Sequence, residues 1–329
     1  MKKSIALIHE GLAEIMISGK GISREVAVAL GSLSPDDLFV LLPLTDSLRR
    51  HFCGTAISRC AIANAKSGKC PENCAFCAQS VHYQTAVESF PLLTVDLLLQ
   101  QASQARKQGA AHFSIVTSGS AVTGRDEMAR VREMIVGIAG LGMAPCASLG
   151  FLDEAAAHTY KEAGLRHYHH NLETARSYFP NICTTHTYDR AVETVAAAKG
   201  AGLYVCSGGI IGMGESWEQR VELALTLRDL EVDSIPLNFL HPVPGTPLGN
   251  QPGVGAFAGL LTIAMFRLVC PTRDIRVCGG RARTFPDAQA MLFAAGANGV
   301  MVGNYLTTAG RQWADDDRLL SEWGNGGDG

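Results

Sequence analysis

Between about residue 55 and residue 303, short apolar runs of strand length alternate eight times with longer stretches of helical periodicity. The strand-like runs lie near 56–64, 112–118, 143–149, 167–174, 203–210, 234–240, 275–281 and 299–303. Between them stand amphipathic segments such as 95–99, 128–135 and 221–225. Strand and helix in strict alternation, with short connections, predict a parallel sheet. Eight such units in about 250 residues fit a closed (β/α)8 barrel of the TIM type. A doubly wound open sheet is the alternative. Residues 1–50 read as a helical extension, with Ser34 as an N-cap and Pro35 at the first helical position of its last helix. The barrel is expected over 51–310. The tail, 311–329, is expected to be partly disordered because it closes on Gly324-Asn325-Gly326-Gly327-Asp328-Gly329.

The loop expected after the first strand carries Cys70, Cys74 and Cys77 in the run Cys-Pro-Glu-Asn-Cys-Ala-Phe-Cys. Three soft thiolates on one tight loop suit an iron–sulfur cluster. A four-iron cluster held by three cysteines keeps one iron open for a small molecule. Phe76, just before the last cysteine, is characteristic of clusters that bind S-adenosylmethionine. A zinc site is the plainer reading, but zinc usually takes four ligands in paired groupings, and no fourth partner stands nearby at such spacing. Active sites of such barrels gather at the C-terminal ends of the strands, which is where this loop falls.

Composition narrows the partners. The net charge of −3 and pI near 6.4 supply no basic field for nucleic acid. No apolar run reaches the 18 or so residues of a membrane span, and His9, Glu10 and Glu14 interrupt the stretch where a signal peptide would need an unbroken apolar segment. A cytoplasmic protein is expected. Ten cysteines would mean disulfides in a small secreted chain; here a large core and no export signal point to reduced thiols. Each cysteine outside the triplet is by default a small core residue.

Three further patterns stand out. On a regular strand, His167, His169, Asn171 and Glu173 share one face, and a buried polar face needs a polar ligand or partners. A His-based metal site or an exposed edge is the other reading. The run from Cys206 to Glu215 holds glycines at 208, 209, 212 and 214, which allow close backbone approach to a ligand or simply a turn. Finally, Cys60, Cys146, Cys206 and Cys278 fall on alternate expected strands, the first, third, fifth and seventh. Residues on alternate strands can share an interior layer, so these thiols form a second cluster site or four separate core cysteines. Arg281 would be costly there unless paired with an anion or a cluster sulfide.

Taken together, these residues resemble the biotin synthase family of radical S-adenosylmethionine enzymes, over about 55–310. The resemblance rests on 70–77, His170-Asn171-Leu172-Glu173-Thr174, Val205-Cys206-Ser207-Gly208-Gly209-Ile210, Pro244-Gly245-Thr246-Pro247-Leu248, Gly279-Gly280-Arg281, 295–298 and Leu306-Thr307-Thr308. It implies a [4Fe-4S] cluster on Cys70, Cys74 and Cys77. That cluster binds S-adenosylmethionine at its open iron and cleaves it to a 5′-deoxyadenosyl radical, which takes hydrogen from dethiobiotin. Sulfur from an auxiliary iron–sulfur cluster then closes the ring. Phe76, Asn171, Glu173 and Gly209 match S-adenosylmethionine contacts. Asn171 and Asn238 match contacts to the ureido ring, and Lys66, Thr307 and Thr308 match those receiving the substrate carboxylate. The family also implies an electron donor such as flavodoxin or ferredoxin, and a homodimer.

Several positions depart from the better-known members, whose auxiliary [2Fe-2S] cluster takes three cysteines and an arginine. Two of these match Cys146 and Cys206, the arginine is matched to Arg281, and the third cysteine is Ser114. Cys60 and Cys278 stand where that form has serines, and Gly299 replaces another. The expectation is a re-ligated auxiliary cluster on Cys60, Cys146, Cys206 and Cys278, larger than [2Fe-2S], with Arg281 beside it. Cys278 and Arg281 would face opposite ways on a regular strand, unless Gly279-Gly280 forms a bulge. The family's arginine near the methionyl carboxylate is replaced by Ala191, with Arg190 one position early. A related isomerase or maturase using the same radical without sulfur insertion is the rival reading, and a noncatalytic metal-binding scaffold the more distant one.

Overall fold

All eight expected strand positions are occupied, in a computed structural model that describes residues 2–325. The strands are β1 Ser58–Lys66, β2 His112–Thr117, β3 Ala144–Ser148, β4 His167–His169, β5 Tyr204–Cys206, β6 Gly209–Ile211, β7 Ser234–Phe239, β8 Asp274–Val277 and β9 Gly299–Met301. β5 and β6 are one strand position interrupted at Ser207-Gly208, so nine segments fill eight places. All pair in parallel in the order β5-β4-β3-β2-β1-β9-β8-β7-β6. The pairing of Cys206 with Ser234 joins β5 to β7 and closes the barrel, which excludes the open doubly wound sheet.

The intervening helices start where side-chain oxygens meet free amides. Thr94 caps Val95–Lys107, Asp153 caps Glu154–Glu162, Thr187 caps Tyr188–Gly200, and Ser216 forms a capping box on Trp217–Asp229. Helix Ala256–Val269 is buried from Gly259 to Val269, as a helix apolar nearly all round must be, and its buried Arg267 donates to the carbonyls of Gly296, Pro271 and Arg273. Its outer side is covered by the N-terminal extension, where Ser34, the expected N-cap, forms a capping box with Asp37 on helix Pro35–Cys53. Two further helices, Lys3–Ser18 and Arg24–Ala29, precede it, and Trp217 Nε1 donates to Ala27 O at 3.0 Å. The extension is thus a cover fastened to the barrel.

Two expected strands end early. β4 stops at His169, and Glu173 has φ +66, so the polar run leaves the pleat after three residues. β8 stops at Val277 instead of reaching 281. Gly280 turns the chain with φ +75, where a Cβ would meet Phe239 O at 1.8 Å. Arg281 therefore begins a short helix, Arg281–Thr284, and departs from the barrel interior. Its fully buried guanidinium donates to Gln289 Oε1 at 2.7 Å, Met301 O at 3.0 Å and Asp316 Oδ2 at 2.7 Å. The partner Asp316 lies on helix Trp313–Leu320, so that part of the tail is anchored. Ser321–Asn325 add a π turn. The disorder expected for residues 326–329 lies outside the described residues.

Arg281 is thereby corrected from a residue beside an auxiliary cluster to one that ties the tail to the barrel. Removing one partner of a buried ion pair costs about 3–5 kcal/mol. Asp316→Ala is therefore expected to lower the urea unfolding midpoint markedly. A midpoint equal to the parent's would show that the pair contributes no stability.

Candidate active site

A cavity of about 430 Å³ draws lining residues from every strand of the barrel and from the triplet loop. Alternate residues face inward, as a period of two requires: Cys60 and Ile62 on β1, His112 and Ser114 on β2, Cys146 and Ser148 on β3, Ser234, Pro236 and Asn238 on β7.

The triplet loop leaves β1 through Gly68 and Lys69, both with positive φ. It is pinned by Cys70 N to Gln79 O (3.0 Å), Val81 N to Cys70 O (2.9 Å) and Cys77 N to Cys74 O (2.9 Å). Cys70, Cys74, Phe76 and Cys77 all line the cavity. Within the same run, Glu72 accepts from Ser120 Oγ (2.5 Å) and Thr185 Oγ1 (2.5 Å), and pairs with His186 Nδ1 (2.8 Å). Burial pushes the Cys77 thiol up to about 11. Contact with Cys183, then burial, pushes Cys74 up further. Such thiols are protonated when alone and become thiolates when a cation sits among them. The donor chemistry of the set fits an iron–sulfur cluster.

Toward the opposite end of the strands, Cys60, Cys146, Cys206 and Cys278 line the same cavity. Strand register places Ser114 beside Cys146, and His169 beside Cys206. All four thiols are pushed up, burial being the leading cause in each. The cationic group among them is Arg276, two residues before Cys278 and so on the same face. Its Nη1 contacts Cys60 Sγ, Nε donates to Ser234 Oγ at 3.1 Å, and Nη2 to Asp274 Oδ2 at 3.1 Å. Asp274 is itself held by Tyr204 OH and Asn298 Nδ2, each 2.6 Å away. Gly299 makes room for this arginine: a Cβ there would lie 2.9 Å from Arg276 Cγ. Four soft donors converging on one space, with one buried guanidinium, fit an auxiliary cluster. His112 and His167 complete this end. Donor atoms of His112, Cys146 and His167 lie within 4.8 Å of one another, and His112 Nδ1 is buried without a hydrogen-bond partner.

His167, His169, Asn171 and Glu173 do reach the cavity together, but through the chain's departure from β4 after the first two. Asn171 Oδ1 accepts from Gly208 N at 3.2 Å, and Asn171 Nδ2 donates to Glu173 Oε2 at 3.3 Å. A Cβ at Gly209 would lie 2.4 Å from Glu173 O, so the bridge between these segments requires glycine. Burial raises Glu173 to about 7 and lowers His167, His169 and His170 to about 3, 4 and 3, which keeps all three imidazoles neutral. Asn238 Oδ1 accepts from Gly279 N at 2.9 Å, while Nδ2 donates to Gly209 O at 3.3 Å.

Thr307 and Thr308 line the cavity, whereas Lys66 does not. The Lys66 ammonium lies 2.8 and 2.9 Å from the two carboxylate oxygens of Glu127. Ala191 is on the wall, and Arg190 stacks 4.1 Å over the Phe151 ring. Glu72, His112, Cys183, His186 and Arg276 were not singled out by sequence. Of these, Arg276 and His112 had a readable signal, their spacing of two from Cys278 and Ser114.

Residues 65–227 match the radical SAM superfamily, and residues 236–325 the Biotin and Thiamin Synthesis associated domain. The chain is 51% identical to the biotin synthase of Trichlorobacter lovleyi, over 95% of this chain and 94% of that one. It is 47% identical to the biotin synthase of Geobacter metallireducens, over 98% and 97%. Among solved structures, methylornithine synthase superposes with a TM-score of 0.81 at 20% identity, covering 95% of this chain and 96% of that one. A maturase of the [FeFe]-hydrogenase superposes with a TM-score of 0.80 at 16% identity, covering 98% and 77%. At such identities these two share the fold alone, so they lend no weight to an isomerase or maturase reading.

Proposed function

This chain belongs to the biotin synthase family of radical S-adenosylmethionine enzymes, and we propose from that premise how its own residues divide the work of converting dethiobiotin to biotin. The observation that carries the reading is that two thiol sets, of three and four, face one barrel cavity. On this reading Cys70, Cys74 and Cys77 hold a [4Fe-4S] cluster. When bound, that cluster would relay the electron for reductive cleavage of S-adenosylmethionine, the source of a radical able to take hydrogen from dethiobiotin.

The protein's task is to orient and exclude. Phe76, Asn171, Glu173 and Gly209 hold the nucleoside end of S-adenosylmethionine, with Asn171 fixed by Gly208 and Glu173. Asn171 and Asn238 offer both amide donors and acceptors, which suits a ureido ring. Cys60, Cys146, Cys206 and Cys278 hold the auxiliary cluster that donates sulfur, with Arg276, in place of Arg281, donating hydrogen bonds to it. Four thiols replace the three-cysteine set that Ser114 interrupts, and a cluster larger than [2Fe-2S] accounts for the added pair. A flavodoxin or ferredoxin supplies the electron, and the chain acts as a homodimer in the cytoplasm. Among the described residues no helix is long and apolar enough to cross a membrane.

The assay is direct: the anaerobically reconstituted chain, given dethiobiotin, S-adenosylmethionine and a low-potential reductant, forms biotin. Deoxyadenosine without biotin would overturn the sulfur-insertion reading.

Thr307 and Thr308 receive the substrate carboxylate, and Lys66 exchanges Glu127 for it on binding. A charge-assisted hydrogen bond contributes about 1.5–3 kcal/mol. Lys66→Ala is thus expected to weaken dethiobiotin binding roughly tenfold or more, read by calorimetric titration. Unchanged affinity would place the carboxylate elsewhere and leave Lys66 as the partner of Glu127.

A further inference from the structure

Cys183 is a buried thiol that the division of labour above does not use. It follows the short 3-10 turn Phe179–Asn181, 109 residues beyond Cys74 in sequence, yet its Sγ lies 3.8 Å from Cys74 Sγ. His186 Nδ1 stands 3.3 Å from Cys183 Sγ. The donor atoms of Cys74, Cys183 and His186 all lie within 4.8 Å of one another.

The spacing of the two sulfurs matches a tetrahedral ion, and that of Cys183 and His186 falls about 0.3 Å short of one. Bonds of about 2.3 Å to sulfur and 2.0–2.1 Å to nitrogen put two sulfurs about 3.8 Å apart, and sulfur and nitrogen about 3.6 Å apart. The set is also held in place before any ion arrives. Asn73 Oδ1 accepts from Thr184 N at 2.9 Å and Thr185 N at 3.3 Å, which clamps the loop bearing Cys183 onto the triplet loop. Glu72 Oε2, 2.8 Å from His186 Nδ1, borders the fourth position.

We propose that, while the chain lacks its cluster, Cys74, Cys183 and His186 bind one divalent ion of the zinc type, with Glu72 beside the fourth coordination position. The ion takes both sulfurs as thiolates and Nδ1 of His186 without a proton, so the protons these groups carry in the ion-free chain pass to solvent. Cys74 cannot serve this ion and a cluster on Cys70, Cys74 and Cys77 together, so the ion must leave before the cluster assembles. Only this exclusion rests on the cluster assignment made above; binding of the ion does not.

The test uses the full-length chain, stripped of iron and kept reduced, titrated with zinc chloride against a chromophoric chelator. Cobalt(II) absorption reports thiolate ligation at the same site. Cys183→Ala, Cys183→Ser and His186→Gln are each expected to weaken one tight equivalent by roughly 100-fold or more. Cys70→Ala, outside the ion's set, keeps that equivalent. Zinc loaded first slows iron and sulfide reconstitution of the parent but not of Cys183→Ala. If Cys183→Ala does not fold, His186→Gln carries the same comparison. An equivalent of unchanged affinity in the Cys183 and His186 variants, or one lost in Cys70→Ala, overturns the proposal. If zinc binding follows the proposal but Cys70→Ala still assembles the [4Fe-4S] cluster, it is the cluster assignment that fails.

Discussion

Replacing Cys70, Cys74 or Cys77 by Ala is expected to abolish reductive cleavage of S-adenosylmethionine, leaving no detectable 5′-deoxyadenosine. Each of the three lines the cavity from one short loop that cross-bonds at Cys70 and Cys74. An alanine in that loop offers no ligand, and Ser114, Ser118 and Ser120, which lie elsewhere, offer hydroxyls in place of thiolates. The loss should be complete at Cys70 and Cys77; Cys74 alone has another thiol beside it, Cys183 at 3.8 Å, so Cys74→Ala is read together with the Cys74→Ala, Cys183→Ala double variant. Parent-level deoxyadenosine in all three variants would remove the triplet from the chemistry.

The second large effect separates the two thiol sets. Cys60→Ser and Cys278→Ser are each expected to abolish biotin formation and to remove the auxiliary cluster's iron. Deoxyadenosine production should persist at least in part, because neither residue belongs to the triplet loop. Cys60 is in contact with Arg276, and Cys278 is buried two residues beyond that arginine on the same face. A serine hydroxyl is a harder, far weaker ligand for iron than a thiolate. Variants with full iron content and the parent's rate of biotin formation would reduce Cys60 and Cys278 to core packing. The auxiliary site would then have to be built from Cys146, Cys206 and Arg276 with another ligand.

Most of the frame was legible because it depends on local pattern. Eight apolar runs at strand length, each followed by helical periodicity, leave a parallel barrel little competition. Cys60, Cys146 and Cys206 could be placed inward because period two holds along β1, β3 and β5. The misassigned arginine shows where that logic fails. Arg281 continues the apparent seventh strand in sequence, but Gly280 turns the chain, and the inward cation is Arg276, two residues from Cys278. The β4 run named residues that do line the cavity, but by a different route, since Asn171 and Glu173 enter it from a loop in which Glu173 has a positive φ. Pairings across long separations left no mark in sequence. Lys66 with Glu127, Cys74 with Cys183 and Arg281 with Asp316 are 61, 109 and 35 residues apart, and only the folded arrangement of helices and loops around the barrel brings them together.

The central claim is that the four-thiol end of the cavity holds the sulfur that enters dethiobiotin. A single turnover tests it most directly. The chain is reconstituted anaerobically with heavy-isotope sulfide, freed of unbound sulfide, and given dethiobiotin, S-adenosylmethionine and reductant. Biotin carrying the heavy sulfur in the parent, and no labelled biotin from Cys278→Ser despite continued deoxyadenosine formation, is the predicted result. Biotin formed without the label, or labelled equally well by Cys278→Ser, would contradict it.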